Sequence, residues 1–296
     1  MEFKDNYVFK HSIIEPFNFF VNNVYEPFYL KVIKEIESPN KTQKDALVLL
    51  SKTVNTLQAI MILVKNGNIV SARVLARSLF EVKLLTKKLL QEPETFRKYS
   101  TANDLFARLF SARQLKEQAS NPNSQIEENL MSSIHKLIKH DEEINKIIRE
   151  IESLGFTATY EGTKGMDNGK RHVNKYFEIK EMAQSCNEEF TYNTMYKNLC
   201  QDTHTSSTHF HRYFIKGESE NVMFNLHPYL NESGLLLGIV MHFICDSAED
   251  FCELLGINPD NDLCMQLSIL HRYFLHRLPD FIRQGGLRLL GVSSPI

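Results

Sequence analysis

Residues 69–90 read IVSARVLARSLFEVKLLTKKLL, and this stretch decides the fold. Plotted at about 100° per residue, it places apolar side chains such as Phe80 and Leu84 on nearly every side of a helix. A helix of this kind lies inside a bundle. It also carries Arg77 and Glu81 one turn apart, and charged groups on an interior helix need a partner or a polar cavity. We therefore predict that another segment of the chain meets this pair.

The flanking sequence continues the helical pattern. Thr42 and Asp45 have the spacing of a capping box, which predicts the start of the preceding helix. Asn66 and Gly67 end that helix in a tight turn, so 69–90 is expected to run antiparallel to it. Pro93 suits the first turn of the next helix. Helices are predicted at 93–118, 126–151, 179–186, 190–215, 233–255 and 262–284.

These segments predict the architecture. No stretch alternates convincingly enough between apolar and polar residues to predict a sheet. The sequence therefore predicts an all-α fold, a single large helical bundle of roughly eight helices. We expect an aromatic-rich segment at 1–40 packed on the bundle, the bundle itself at 41–285, and a C-terminal tail at 286–296.

Composition limits the class of protein. Lys plus Arg number 34 against 36 for Asp plus Glu, so no overall field attracts nucleic acid or acidic membrane. The five cysteines include no CxxC pair, which argues against a disulfide framework and against a thiolate zinc site. The most apolar late run, 234–245, is too short to cross a bilayer, which takes about 20 residues. We predict a cytoplasmic protein without a membrane segment.

A narrow polar face on 190–215 is the predicted partner of Arg77 and Glu81. If this range is one helix, five residues able to take part in polar chemistry share less than about a quarter of its circumference. Tyrosine and cysteine are poor choices for a plain solvated face, so we expect the face to point inward. Its members are Tyr196, Cys200, His204, Ser207 and His211.

The same face argues against a metal held by this helix alone. His204 and His211 lie about 10.5 Å apart along the axis, too far to share one ion at about 2.1 Å each. His209 points about 140° away from His204. We predict no metal and no cofactor, although a metal assembled from Glu81 and another helix stays open.

The sequence from 155 to 175 loses its helical periodicity and is expected to be a loop. Its segment TKGMDNGKRHVNK, residues 163–175, concentrates basic residues with two glycines. Lys170 and Arg171 are the residues that we expect to contact a phosphate or nucleic-acid backbone. A solvated surface loop is the alternative.

Three motifs resemble an uncharacterised all-helical bacterial family, a domain of unknown function, over about residues 40–255. They are RSLFE at 77–81, IKEMAQ at 179–184, and Tyr196-x3-Cys200-x3-His204-x2-Ser207, with cysteine at 200 where the family pattern leads us to expect serine. The resemblance implies a place near phage-defence or abortive-infection genes. It also implies a distant similarity to the HEPN superfamily of helical ribonucleases and nucleotide-binding modules.

The catalytic signature of the HEPN superfamily is absent. That signature is an arginine and a later histidine with four to six residues between them. No arginine of this chain fits, and the nearest miss is Arg272 with His276, which are separated by three residues. A HEPN-like ribonuclease or phosphodiesterase activity therefore does not follow directly from the resemblance.

The sequence is compatible with two functions. The first is a phosphate-directed reaction on RNA or a nucleotide, with His204 as general acid or base, Glu81 orienting it and Arg77 holding an anion. In this hypothesis the substrate is bound by Tyr196, Ser207, Lys170 and Arg171.

The alternative is a non-catalytic helical binding or sensor module. Arg77 would then only neutralise Glu81, and the module would act through a small ligand or a protein partner encoded nearby. The polar face could also be the seam of a homodimer, because helical bundles of this size commonly pair.

Overall fold

The computed structural model describes residues 14–120, 141–161, 166–200, 214–216, 222–224 and 233–258, together with positions 265, 269 and 272. Contacts divide the chain into two compact units. The discontinuous unit comprises Met1–Gln91 and Ala183–Ile296, and the inserted unit comprises Glu92–Met182. The domain bounds predicted from the sequence stay a prediction.

The described residues form an all-α structure, which confirms the predicted fold class. The helices are α1 (Ile14–Phe20), α2 (Glu26–Glu35), α3 (Lys41–Lys65), α4 (Ile69–Gln91), α5 (Pro93–Ser120), α6 (Asp141–Ser153), α7 (Asn168–Tyr176), α8 (Ile179–Ser185), α9 (Glu189–Thr191), α10 (Lys197–Cys200) and α11 (Ser233–Leu255). Two π-helical turns, Val21–Tyr25 and Tyr192–Tyr196, continue α1 and α9. Two short antiparallel hairpins, which the sequence did not predict, pair β1 (Tyr160–Glu161) with β2 (Met166–Asp167) and β3 (Phe214–Lys216) with β4 (Val222–Phe224).

The N-cap of helix α3 is Asn40, two residues before Thr42, the predicted capping residue. The Asn40 side chain accepts from the Gln43 backbone N–H at 2.9 Å, and the Gln43 side chain accepts from the Asn40 N–H at 3.0 Å. The prediction from Thr42 and Asp45 was therefore wrong, and asparagine is the better cap. The predicted end is confirmed, because the helix stops at Lys65 and Gly67 adopts a φ of 72°.

Helix α4 lies in the core of the discontinuous unit. It packs against α3, α11 and α10. The Phe80 ring lies 5.2 Å from that of Phe243 on α11 and 5.1 Å from that of Tyr196. The expected contact between 69–90 and the segment after 190 is present, but α3 and α11 are the larger neighbours.

Among the described helices, α3 is long and apolar enough to cross a membrane by length and composition. Its residues Leu50, Leu57 and Ile60 are completely buried in the protein core. A single helix of this kind is weak evidence for a membrane span, because a buried core helix passes the same test.

Two helix predictions need correction. The range 190–215 is not one helix, because α10 ends at Cys200 and residues from Phe214 form β3, while 201–213 lie outside the described residues. The π-helical turn Tyr192–Tyr196 also shifts the helical phase, so a projection at a constant 100° does not hold. The expected loop at 155–175 is wrong in its second half, where Asn168–Tyr176 is helical.

The inserted unit has its own core between α5, α6 and α7. Arg113 donates to the Asp167 carboxylate at 2.7 Å and to the Ala158 carbonyl at 3.3 Å, which fixes the start of α7. The core residues are Ala102, Leu105, Phe106, Leu109, Ile144, Ile147, Ile151, Phe156, Ala158 and Val173.

Gly169 permits a close backbone approach in this core. A Cβ atom there would lie 2.4 Å from the Thr157 carbonyl oxygen and 2.6 Å from the Phe106 ring. Glycine is thus required by space, because the carbonyl belongs to the backbone and cannot rotate away.

We predict that Gly169→Ala destabilises the protein by about 1–3 kcal/mol, the usual range for overpacking a core. In an open helix the same change would stabilise by up to about 1 kcal/mol. Urea unfolding followed by circular dichroism measures the difference, with His172→Ala, an exposed change on the same helix, as control. An unchanged or raised stability of Gly169→Ala would contradict the close packing.

Candidate active site

Arg77, Glu81 and Tyr196 form a closed hydrogen-bonded triangle. The Arg77 Nε–H donates to Glu81 Oε1 at 3.0 Å and to the Tyr196 hydroxyl oxygen at 3.1 Å. The Tyr196 hydroxyl donates to the same Glu81 oxygen at 3.0 Å. Both charged residues come from α4, and the π-helical turn Tyr192–Tyr196 supplies the tyrosine. The contact predicted for Tyr196 is therefore present, whereas the contacts predicted for His204, Ser207 and His211 concern positions outside the described residues.

The triangle reaches solvent. The side chains of Arg77 and Glu81 are 31% and 28% exposed. Burial alone would lower the Arg77 pKa, but Tyr196 and Glu81 together raise it above its usual value. Burial and the neighbouring Glu81 charge raise the Tyr196 pKa well above its usual range, so its hydroxyl stays a donor.

Aromatic contacts hold the tyrosine in place. The Tyr196 ring stacks on Tyr192 at 5.4 Å, and the Arg77 guanidinium lies 5.6 Å from the Tyr196 ring centre. Lys197 lies over the other tyrosine, 5.2 Å from its centre. The phenol is therefore fixed by its ring as well as by its hydroxyl.

Cys200 is the second member of the predicted polar face that the structure describes. It is half-buried, and burial raises the pKa of its thiol. A thiol with a raised pKa is a poor nucleophile at neutral pH. Cys200 is therefore poorly suited to act as a nucleophile at this site.

The remaining predicted site residues are not in this triangle. His204, Ser207 and His211 lie outside the described residues. Lys170 and Arg171 lie on α7 of the inserted unit, where Lys170 donates to the Asn103 side chain at 2.5 Å. Burial of Lys170 lowers its pKa.

Arg73 is a buried cation of α4 whose contact sequence reasoning missed. It lies one turn before Arg77 on α4, is only 2% exposed, and donates to the Asn198 carbonyl at 2.9 Å and to the Asn198 side chain at 3.3 Å. It therefore ties α4 to α10 directly beside the triangle.

A second group of charges was also missed. We call Lys83, Lys87, Glu188, Asp246 and Asp250 the charge cluster. Lys83 is 1% exposed and lies 2.8 Å from Glu188 and 2.7 Å from Asp246. Lys87 lies 3.5 Å from each of the three carboxylates. The cluster joins α4 and α11 to the residue just before α9.

The sequence did contain a signal for the charge cluster. Lys83 and Lys87 are one turn apart on the same apolar helix as Arg77 and Glu81. Asp246 and Asp250 are likewise one turn apart on α11. The argument that an interior charge needs a partner applied equally to these four residues.

In the part of the chain that the structure describes, no three histidine, cysteine or acidic side chains lie in an arrangement that could hold a metal ion. The chemistry of the triangle is instead that of a held guanidinium, a carboxylate and a phenol. These groups can bind an anion, orient an imidazole and donate a hydrogen bond.

We predict that Lys83→Met destabilises the protein by about 3 kcal/mol, because it leaves buried carboxylates without their cation. Lys87→Met should cost less, about 1 kcal/mol, because Lys87 is 20% exposed and its contacts are longer. Urea unfolding at neutral pH compares the two variants. An equal loss of stability in the two variants would contradict the larger contribution that we assign to Lys83.

The charge cluster also predicts a pH dependence of stability. Burial, with a contribution from Asp246, raises the Asp250 pKa to about 6 against the opposing charge of Lys87. A raised carboxyl pKa means that the folded state holds a proton that the unfolded state has released, so stability falls as pH rises from about 4 to about 6.

Asp250→Asn should therefore lose this part of the pH dependence. Between pH 4 and pH 6, we expect the free energy of unfolding of the variant to rise by on the order of 2 kcal/mol relative to that of wild type. The free energy of unfolding measured across this window tests it, with Glu249→Gln, its exposed neighbour, as control. Parallel curves for wild type and Asp250→Asn would refute the assignment.

The comparisons with known proteins identify a family. Residues 45–222 match the model of a family of unknown function, DUF5677. The match includes Arg77, Glu81 and Tyr196 but ends before Asp246 and Asp250. The comparisons with curated proteins and with solved structures found no match. Since the match spans more than half of the chain, this protein is a member of the DUF5677 family.

Proposed function

We propose that this helical protein carries a phosphate-directed site built on Arg77, Glu81 and Tyr196, and that it acts on RNA or a nucleotide. The observation that carries the proposal is the partly exposed Arg77, whose Nε is held by two side chains at once. A guanidinium in a fixed orientation loses less entropy when it binds a phosphate bidentately.

Two other cations of α4 provide the contrast. Arg73 and Lys83 are almost completely buried and are bound to a backbone carbonyl and to carboxylates. Such positions are typical of groups that fix the packing of a bundle. Arg77 is the one of these three cations that lies at the solvent boundary.

The remaining roles follow from chemistry. His204 is the proposed general acid or base, since an unperturbed histidine titrates near pH 6.5. Tyr196 would donate a hydrogen bond to substrate or intermediate, and Ser207 would help to position the substrate. Glu81 would orient the imidazole while it holds Arg77.

The role in bacterial defence rests on the resemblance of the sequence motifs alone. The missing arginine–histidine signature separates this site from the HEPN ribonucleases. The proposed site uses an arginine from α4 and a histidine more than a hundred residues later. A protein partner encoded nearby and a homodimer belong to the same proposal.

A second candidate function is a non-catalytic binding or sensor module. One observation favours it, namely that Arg77, Glu81 and Tyr196 satisfy one another in a closed triangle of neutral total charge. In that case the triangle holds the segment after α9 against α4 and takes no part in chemistry.

We predict that Arg77→Gln and His204→Ala each reduce cleavage of a labelled single-stranded RNA by about 100-fold, the usual loss for a group that stabilises developing charge. Both variants should stay folded by circular dichroism. Growth arrest and phage resistance provide the cellular readout for the same variants.

Arg73→Gln is the matched control, because it is the same substitution one turn away at a buried position. It should lower the melting temperature much more than Arg77→Gln does. If Arg77→Gln instead unfolds the protein as Arg73→Gln does, or leaves cleavage unchanged, the phosphate-directed site is wrong and the binding module is favoured.

A further inference from the structure

Two stacked tyrosines at the triangle each have a cation at the ring. Tyr192 and Tyr196 stack with their ring centres 5.4 Å apart. The Lys197 ammonium lies 5.2 Å from the centre of Tyr192, and the Arg77 guanidinium lies 5.6 Å from the centre of Tyr196. We call these four side chains the cation–aromatic ladder. The ladder places Lys197 beside the proposed site.

Lys197 is held in position although it is exposed to solvent. Its Nζ donates to the Asn193 side-chain oxygen at 2.7 Å, and both this amide and the Tyr192 ring are neutral. A lysine side chain that is already ordered loses less rotamer entropy when it binds a ligand. The ammonium has three N–H donors, so it can bind a further acceptor beside Asn193.

The charge balance of the triangle gives Lys197 a role. Arg77 and Glu81 compensate each other, so the triangle has no net charge with which to attract an anion. Among the residues that the structure describes, Lys197 has no carboxylate partner. Lys197 therefore supplies the net positive charge that the triangle lacks.

We propose that Lys197 binds a second phosphate of the substrate, beside the phosphate that Arg77 binds. This inference rests on the proposed function and makes it more specific, because two phosphate contacts favour an oligonucleotide over a substrate with a single phosphate. The two cations are linked through ring centres by steps of 5.2, 5.4 and 5.6 Å, so one short single strand can contact both. Contacts to phosphate fix the position of a strand and carry no sequence information.

A purely structural role of Lys197 is the alternative that the test must separate. Tyr192 and Asn193 belong to the same π-helical turn as Tyr196, and Lys197 directly follows this turn. If Lys197 only holds the turn in place, its loss should impair all substrates equally and lower the melting temperature.

The test compares cleavage of decauridylate with cleavage of the dinucleotide UpU, which contains a single phosphate. We expect Lys197→Gln to raise KM for decauridylate about tenfold, the effect of losing one hydrogen bond between charged groups, with kcat nearly unchanged. KM for UpU should stay the same. Lys197→Arg should keep the wild-type KM for decauridylate, because it retains the charge.

Binding of fluorescein-labelled decauridylate to the full chain, measured by anisotropy over a series of salt concentrations, gives a second readout. Lys197→Gln should flatten the slope of log K against log salt by about 0.7, the contribution of one phosphate contact to a single strand. Lys52→Gln is the matched control, because it removes an exposed lysine from α3 of the same unit. It should change neither KM nor the salt slope.

The outcomes separate this inference from the proposed function. Equal effects of Lys197→Gln on both substrates, or an unchanged KM and salt slope, would overturn the role of Lys197. If Arg77→Gln still abolishes cleavage in that case, the proposed function stands without Lys197. A flattened slope in a protein that cleaves neither substrate would instead reject the proposed reaction and keep Lys197 as a phosphate contact. No binding by wild type would reject both.

Discussion

The structure depends on how a buried helix satisfies its own charges. Helix α4 is surrounded by α3, α11 and α10, yet it carries Arg73, Arg77, Glu81, Lys83 and Lys87. Each unpaired ion at a buried position would cost several kcal/mol. The neighbouring segments must therefore supply partners at defined positions along the axis of α4. Asn198, Tyr196, Glu188 and the two aspartates of α11 do so. Pairing of charges thus sets the register of the discontinuous unit.

The same requirement explains how the candidate site is positioned. Glu188 is bound by Lys83 and Lys87, and its carbonyl accepts from the N–H of Tyr192. The π-helical turn then carries Tyr196 back to the Arg77–Glu81 pair. Along α4, the triangle therefore lies between Arg73 on one side and the charge cluster on the other. π-Helical turns are frequently found at functional sites.

How much the sequence could predict differs between these features. The all-α fold, the turn at Gly67, the start of α5 at Pro93 and the bounds of α11 follow from apolar spacing and from glycine and proline. The meeting of Tyr196 with Arg77 and Glu81 followed from burial of charge. The π-helical turn, the hairpins and the helix 168–176 depend on long-range contacts such as Arg113 with Asp167, which no local pattern records. The charge cluster was missed although Asp246 directly follows the apolar run 234–245, because only the length of that run entered the prediction.

The most direct test of the central claim is a double-mutant cycle between Lys83 and Glu188, read out as the free energy of unfolding. Lys83→Met, Glu188→Gln and the double variant are compared with wild type. If pairing of buried charges sets the register, the coupling energy should lie between about 1 and 3 kcal/mol. Additive losses, with a coupling below about 0.5 kcal/mol, would contradict the account.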